Sequence, residues 1–190
     1  GHGVPGAMLS VLAISTLARI VAQDPLTAPS SALLALDAGM RASLHQAGED
    51  KTNDDGCDAA IIQIAADGQS LRYAGAKIDL FHRHRGEVIR HRSTRISLGY
   101  LEPPAQDPEE HMIALYPGDQ LVMVTDGVTD QPGNQPERRK SFGNQRLQQV
   151  LADPSVTMAD TCRQAVLSAL EGWQGDAKRR DDVSVVCLGI

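Results

Sequence analysis

Apolar positions along this chain change from helical spacing to strand-like runs and back to helical spacing. Met8, Leu9, Val11, Leu12, Ile14, Leu17, Ile20 and Val21 predict a helix over about residues 5–22, opened by a glycine-rich turn with Pro5 near its first position and ended at Asp24-Pro25. Being apolar on most sides, this helix is expected between a sheet and another helix. Ser30 or Ser31 then caps a second helix running to about Gln46, with Leu33, Leu34, Leu36, Met40 and Leu44 as its stripe. After a polar loop over residues 47–55, strands are expected at 59–65 and 70–74 around the turn signal Asp67-Gly68. A second hairpin, 78–82 and 87–91, surrounds Arg85-Gly86, and further strands cover 111–116 and 120–125 across Pro117-Gly118. Residues 131–141 read as a polar loop, 143–151 as a short helix, and Thr157 as the cap of a helix to Trp173. A last strand covers 183–190. Two helices, a run of antiparallel strands, two helices and one strand predict an α+β domain with helices outside stacked sheets.

Composition refines this picture. The 190 residues, 42% hydrophobic and 22% charged, are enough for one domain with its own core, and 3% aromatic content makes that core aliphatic. A net charge of −6 argues against a general nucleic-acid binder. Cys57, Cys162 and Cys187 offer no disulfide framework or zinc spacing and read as small buried hydrophobes in a reducing compartment. Arg19, two serines and a threonine interrupt residues 4–22, whose unbroken part is shorter than the roughly 20 residues of a membrane span, so a core helix is expected there.

The chemistry concentrates at two acidic strand ends. Residues 121–124 are four apolar residues that suit a strand buried on both faces, and the strand delivers Asp126 to its carboxyl end, followed by Gly127 and then Asp130. Asp181-Asp182 instead precedes the final strand. If the two strands are adjacent and antiparallel, all four acids gather at one sheet edge. Crowded carboxylates take up protons or hold a cation, and hard oxygen donors favour Mg²⁺ or Mn²⁺. Ordinary turn chemistry explains the same residues equally well, and spacing alone leaves both readings open. Nine of the nineteen residues from Lys77 to Arg95 are Lys, Arg or His, which suits either a phosphate-attracting hairpin or a solvated face balanced by acids. Asp54, Asp55 and Asp58 lack the spacing of a calcium loop.

Five segments in order carry a resemblance: residues 1–7 (GHGVPGA), 71–76 (LRYAGA), Pro117-Gly118-Asp119 with 125–130 (TDGVTD), Phe142-Gly143, and 180–184 (RDDVS). Together they resemble the bacterial SpoIIE-like phosphatases, a branch of the metal-dependent (PPM, type-2C) serine/threonine protein phosphatases. The resemblance spans the whole chain and implies an αββα sandwich of antiparallel sheets flanked by helix pairs, as one domain over residues 1–190. It also implies two Mn²⁺ or Mg²⁺ ions whose bridging hydroxide attacks the phosphorus of phosphoserine or phosphothreonine. Carried over, Asp126 and Asp181 look like metal ligands, Asp130 like a further metal site, Gly1 like a metal contact, and Asp182 like a support behind them. His2 stands where a general acid near the leaving group is found. Arg138, Arg139 and Lys140 are placed to grip substrate.

The implied substrate is a phosphorylated regulatory protein of the STAS-type anti-sigma-factor antagonist class. The setting is a cytoplasmic catalytic domain in a parent protein that carries a sensory or membrane-tethered region, with homodimerisation open and no nucleic-acid partner. In the family, a strand ending in a metal-bridging aspartate precedes Gly-His-Gly, and here the sequence begins at Gly1. The domain is therefore expected to be N-terminally incomplete, with weak metal binding and an exposed sheet edge. A catalytically silent partner-binding module on the same fold is the alternative. The family's two N-terminal helices, here about 5–22 and 31–46, are expected as a regulatory element.

Overall fold

Strand pairing divides the chain into two sheets, each with its own helices and its own apolar core. The computed structural model describes residues 3–45, 56–134 and 140–190. The first unit, residues 1–78 and 92–114, holds α1 (Gly3–Gln23), α2 (Pro29–His45), β1 (Ala59–Ile64), β2 (Ser70–Ala76) and β5 (Glu110–Ala114). The second, residues 79–91 and 115–190, holds β3 (Leu80–His84), β4 (Glu87–His91), β6 (Gln120–Val124), α3 (Asp126–Thr129), α4 (Gly143–Leu151), α5 (Ala159–Gln174) and β7 (Val185–Gly189). The class is the α+β arrangement expected from the element order.

In the first unit an antiparallel sheet runs β1-β2-β5. The β1–β2 turn is closed by Gly68 at φ +69° and by the Asp67 carboxylate, which accepts the Gln69 N–H at 2.9 Å. Helix α2 lies against β1 and β2, burying Leu33, Leu36 and Met40 with Ala74, Ala76, Ile96 and Leu98. Its start differs from the expected serine cap. Pro29 is the first helical residue, and Ser30 donates from N and Oγ to the Glu110 carboxylate at 3.2 and 3.0 Å, so a carboxylate from β5 serves the helix end.

Helix α1 also departs from expectation. Leu9, Leu12, Ala13, Leu17 and Ile20 pack towards this core, but Met8, Val11 and Ile14 are each more than two-thirds exposed. The helix packs on α2 and is covered on one side only. Residues 6–23 are also long and apolar enough to cross a membrane by length and composition.

In the second unit the antiparallel order is β4-β3-β6-β7. Helices α4 and α5 cover β4 and β7, enclosing Phe81, Val122, Val124, Val128, Phe142, Leu147, Leu151, Val156, Cys162, Val166 and Leu170. Helix α5 begins after Met158 rather than at a Thr157 cap. Thr161 Oγ1 accepts the N–H groups of Thr157 and Met158 at 3.1 and 3.0 Å, so the capping hydroxyl lies inside the helix. Strand β3 is shifted two residues towards the C-terminus of the expected 78–82. Arg85 and Gly86 both adopt positive φ, forming a two-residue turn that pairs His84 with Glu87 and draws the polar His82-Arg83-His84 into the strand.

The cysteines fit their apolar reading. Cys162 is buried and Cys57 and Cys187 are half-buried. Burial, with Asp58 and Asp37 nearby, pushes the Cys57 thiol up to about 11.

Candidate functional site

β6 is a central strand, paired antiparallel with β3 on one side and β7 on the other. The β7 pairing is the one the two acidic segments require, because it sets the end of β6 beside the start of β7. The chain leaves the sheet at Thr125, whose N–H donates to Ser184 O at 3.1 Å and whose Oγ1 accepts the Ser184 N–H at 2.9 Å and donates to Asp182 O at 3.3 Å. Asp126 then opens the single turn α3, which closes when Asp130 N–H reaches Asp126 O at 2.7 Å. Gly127 is buried, and a Cβ there would collide with the carbonyl group of Asp182. The backbone approach that brings the two acidic segments together therefore needs glycine at this position.

Gln131, which the sequence pattern assigns to a polar loop, is the post behind this edge. It is 1% exposed; Nε2 donates to Pro132 O and Lys178 O at 3.1 and 3.2 Å, and Oε1 accepts the Arg180 N–H at 3.2 Å. Its backbone oxygen accepts Trp173 Nε1–H at 3.0 Å and Phe142 N–H at 2.9 Å. The segment that carries Asp181 is thus held by the Gln131 amide together with Gln174, which donates to Ala177 O and accepts from Arg179, and with Thr125. Nothing local in the sequence separates Gln131 from the polar residues after it. Its partners Trp173, Lys178 and Arg180 lie about 40 to 50 positions away.

Asp126, Asp130 and Asp182 are exposed and Asp181 is half-buried. Asp181 Oδ1 accepts the Asp182 N–H at 2.8 Å, which orients that carboxylate. Among the described residues, no Lys or Arg forms an ion pair with any of the four. Unneutralised, solvent-facing oxygens on two adjacent strand ends suit a hard divalent cation such as Mg²⁺ or Mn²⁺. Among the described residues these acids do not bring three ligand atoms within reach of one ion. Gly1, His2, Arg138 and Arg139 lie outside the described residues. Lys140 is exposed, and its carbonyl accepts the Gly133 N–H at 3.4 Å.

The sequence marks the histidine-rich hairpin only by its charge, and in the fold it meets an acid of its own. His82 Nε2 lies 2.8 Å from Asp119 Oδ2 and His84 Nδ1 lies 2.6 Å from Asp119 Oδ1. Asp119 is 2% exposed, and its Oδ2 also accepts the Tyr116 N–H at 3.0 Å. Burial opposes ionisation of this carboxyl, but the hydrogen bonds from both imidazoles and from Tyr116 outweigh it and hold the group below the usual carboxylate range. Two of the hairpin's arginines are also engaged. Arg90 pairs with Asp79, and Arg83 Nε donates to Leu151 O at 2.9 Å. Internal pairing thus uses much of the charge that could have attracted a phosphorylated partner.

The family model for stage II sporulation protein E (SpoIIE) matches residues 1–190. The chain belongs to the SpoIIE family. Among solved structures, this SpoIIE-family chain is similar to the SiaA-PP2C domain of Pseudomonas aeruginosa, at 26% identity and a TM-score of 0.83, over 100% of this chain and 72% of that one. It also resembles the PP2C phosphatase domain, with a fragment of the regulatory domain, of SpoIIE from Bacillus subtilis, at 17% identity and a TM-score of 0.70 over 98% and 50% of the two chains. A third relative in fold is the catalytic domain of PstP, a serine/threonine phosphatase of Mycobacterium tuberculosis, solved in complex with two manganese ions. There the identity is 18% and the TM-score 0.62, over 95% and 80% of the chains. No curated protein matches the chain. The fold is that of a PP2C-type phosphatase domain.

Proposed function

We propose that this SpoIIE-family domain is a metal-dependent protein phosphatase that hydrolyses phosphoserine or phosphothreonine on a regulatory protein of the STAS-type antagonist class, in the cytoplasm. The observation that carries the reading is the β6–β7 edge, where Asp126 and Asp181 stand on hydrogen-bonded neighbouring segments and, among the described residues, no Lys or Arg is paired to them. Asp126 and Asp181 would hold the Mn²⁺ or Mg²⁺, with Asp130 as a further oxygen donor; when bound, the ions supply an activated water and neutralise charge developing at phosphorus.

The protein's own contribution is placement. Thr125 and Gly127 hold the backbone on either side of Asp126 against that of Asp182, Gln131 holds the 178–180 stretch, and the Asp182 N–H orients Asp181. Lys140, with Arg138 and Arg139, would hold the phosphoprotein by charge. His2 would donate a proton to the departing serine or threonine oxygen.

The absence of a three-ligand group among the described acids favours a second reading, in which the same edge binds a phosphorylated partner without turnover. Phosphate release from a phosphoserine STAS-type protein, with Mn²⁺ added and then chelated, separates the two. Mn²⁺-dependent release supports the phosphatase, whereas saturable binding of the phosphoprotein with no release supports the silent module.

A further inference from the structure

We propose that His82, His84 and Asp119 form a second metal site, of the zinc class, at the end of β6 opposite Asp126. Asp119 precedes the first residue of β6 and Asp126 follows its last by two, so the sites are separated by the length of the strand. One atom from each of the three residues lies within 4.8 Å of the others, and both Asp119 and His82 are buried. Zinc bound tetrahedrally at about 2.0–2.2 Å needs its ligand atoms roughly 3.4 Å apart. His82 Nε2 and His84 Nδ1 lie 2.8 and 2.6 Å from Asp119 oxygens, so each of those two pairs opens by less than about 1 Å, and the three ligand atoms together already lie within 4.8 Å.

The surroundings hold these groups ready. The Tyr116 N–H fixes the Asp119 carboxylate, the His84 ring lies 4.9 Å from the Tyr116 ring, and the His82 ring lies 6.1 Å from that of His91 at 25°. The His84 side chain is 28% exposed and borders an open groove of about 810 Å³ lined by Arg85, Tyr116, Pro117, Gly118 and Pro154. That groove gives the ion its access path and leaves a fourth position for water. Two imidazoles and one carboxylate select a borderline ion such as Zn²⁺ or Co²⁺, unlike the all-oxygen donors at the other end, which favour Mg²⁺ or Mn²⁺. A bound ion would join the β3–β4 hairpin to the Pro117-Gly118 turn.

Calorimetric titration of the metal-free protein with Zn²⁺, in millimolar Mg²⁺ to occupy the oxygen-rich end, tests this. Visible absorption of the Co²⁺ form reports nitrogen ligation. One equivalent should bind to wild type and to Asp126→Asn and Asp181→Asn alike, with a rise in Tm. His84→Ala should weaken binding by at least about 100-fold. His84→Asn, whose amide can still donate to Asp119, keeps the fold and the hydrogen bond but should lose the ion in the same way. The site is overturned if wild type binds Zn²⁺ no better than His84→Asn, which would leave a hydrogen-bonded clasp. It is equally overturned if the bound equivalent disappears with Asp126→Asn.

Discussion

The two ends of β6 treat a carboxylate in opposite ways. At the N-terminal end Asp119 is buried and receives three donors, from His82, His84 and Tyr116. At the C-terminal end Asp126 is exposed and, among the described residues, has no Lys or Arg paired to it, while the glycine, threonine and glutamine around it hold backbone in place. One end satisfies its acid within the fold; the other leaves acids in solvent and satisfies only the scaffold beneath them. Charge left open on a rigid support is what a cation-dependent reaction needs.

Substitutions sharpen this contrast in descending order of effect. Asp126→Asn or Asp181→Asn should lower Mn²⁺-dependent phosphate release by at least about 100-fold. The same changes should leave urea stability within about 0.5 kcal/mol, since both side chains reach solvent. At the closed end, Asp119→Ala strands two imidazole donors and the Tyr116 N–H. A loss of about 3 kcal/mol in urea unfolding is expected, with phosphate release per folded molecule nearly unchanged.

Because its folded value is depressed, Asp119 stabilises the protein fully above the ordinary carboxylate range and loses that contribution as pH falls through the depressed value. With metal chelated, the stability gap between wild type and Asp119→Asn should therefore narrow below about pH 4. Gln131→Leu removes the amide that pairs with Lys178 O and Arg180 N–H and should cost about 2 kcal/mol. It should also reduce turnover, because the Asp181 segment loses its post. The smallest effect is a gain. The Gln120 side chain is buried with no hydrogen-bond partner among the described residues, so Gln120→Leu should raise stability by about 1 kcal/mol.

The same contrast explains what the sequence disclosed. Asp126-Gly127 and Asp181-Asp182 sit beside apolar strands, so local pattern places them at strand ends; the sequence leaves their pairing as a condition, which the antiparallel β6–β7 register meets. His82 and His84 were harder to place. A polarity pattern ends the strand at His82, whereas the two-residue turn at Arg85-Gly86 carries pairing through His84 and brings both rings to an acid 35 or more residues away. Gln131 was hidden for a related reason: its burial follows from the remote Trp173, Lys178 and Arg180. Helix α1 shows the converse. Its all-round apolar sequence suggested a core helix, yet only one side is covered, because apolarity states a preference for burial without naming the partner.

The most direct test of the central claim is Mn²⁺-dependent phosphate release from a phosphoserine protein, measured side by side for wild type, Asp126→Asn, Asp181→Asn and His84→Ala. Turnover is expected in wild type and His84→Ala, abolished by chelation, with near-complete loss in both aspartate variants. Undiminished turnover in Asp126→Asn and Asp181→Asn would contradict that claim.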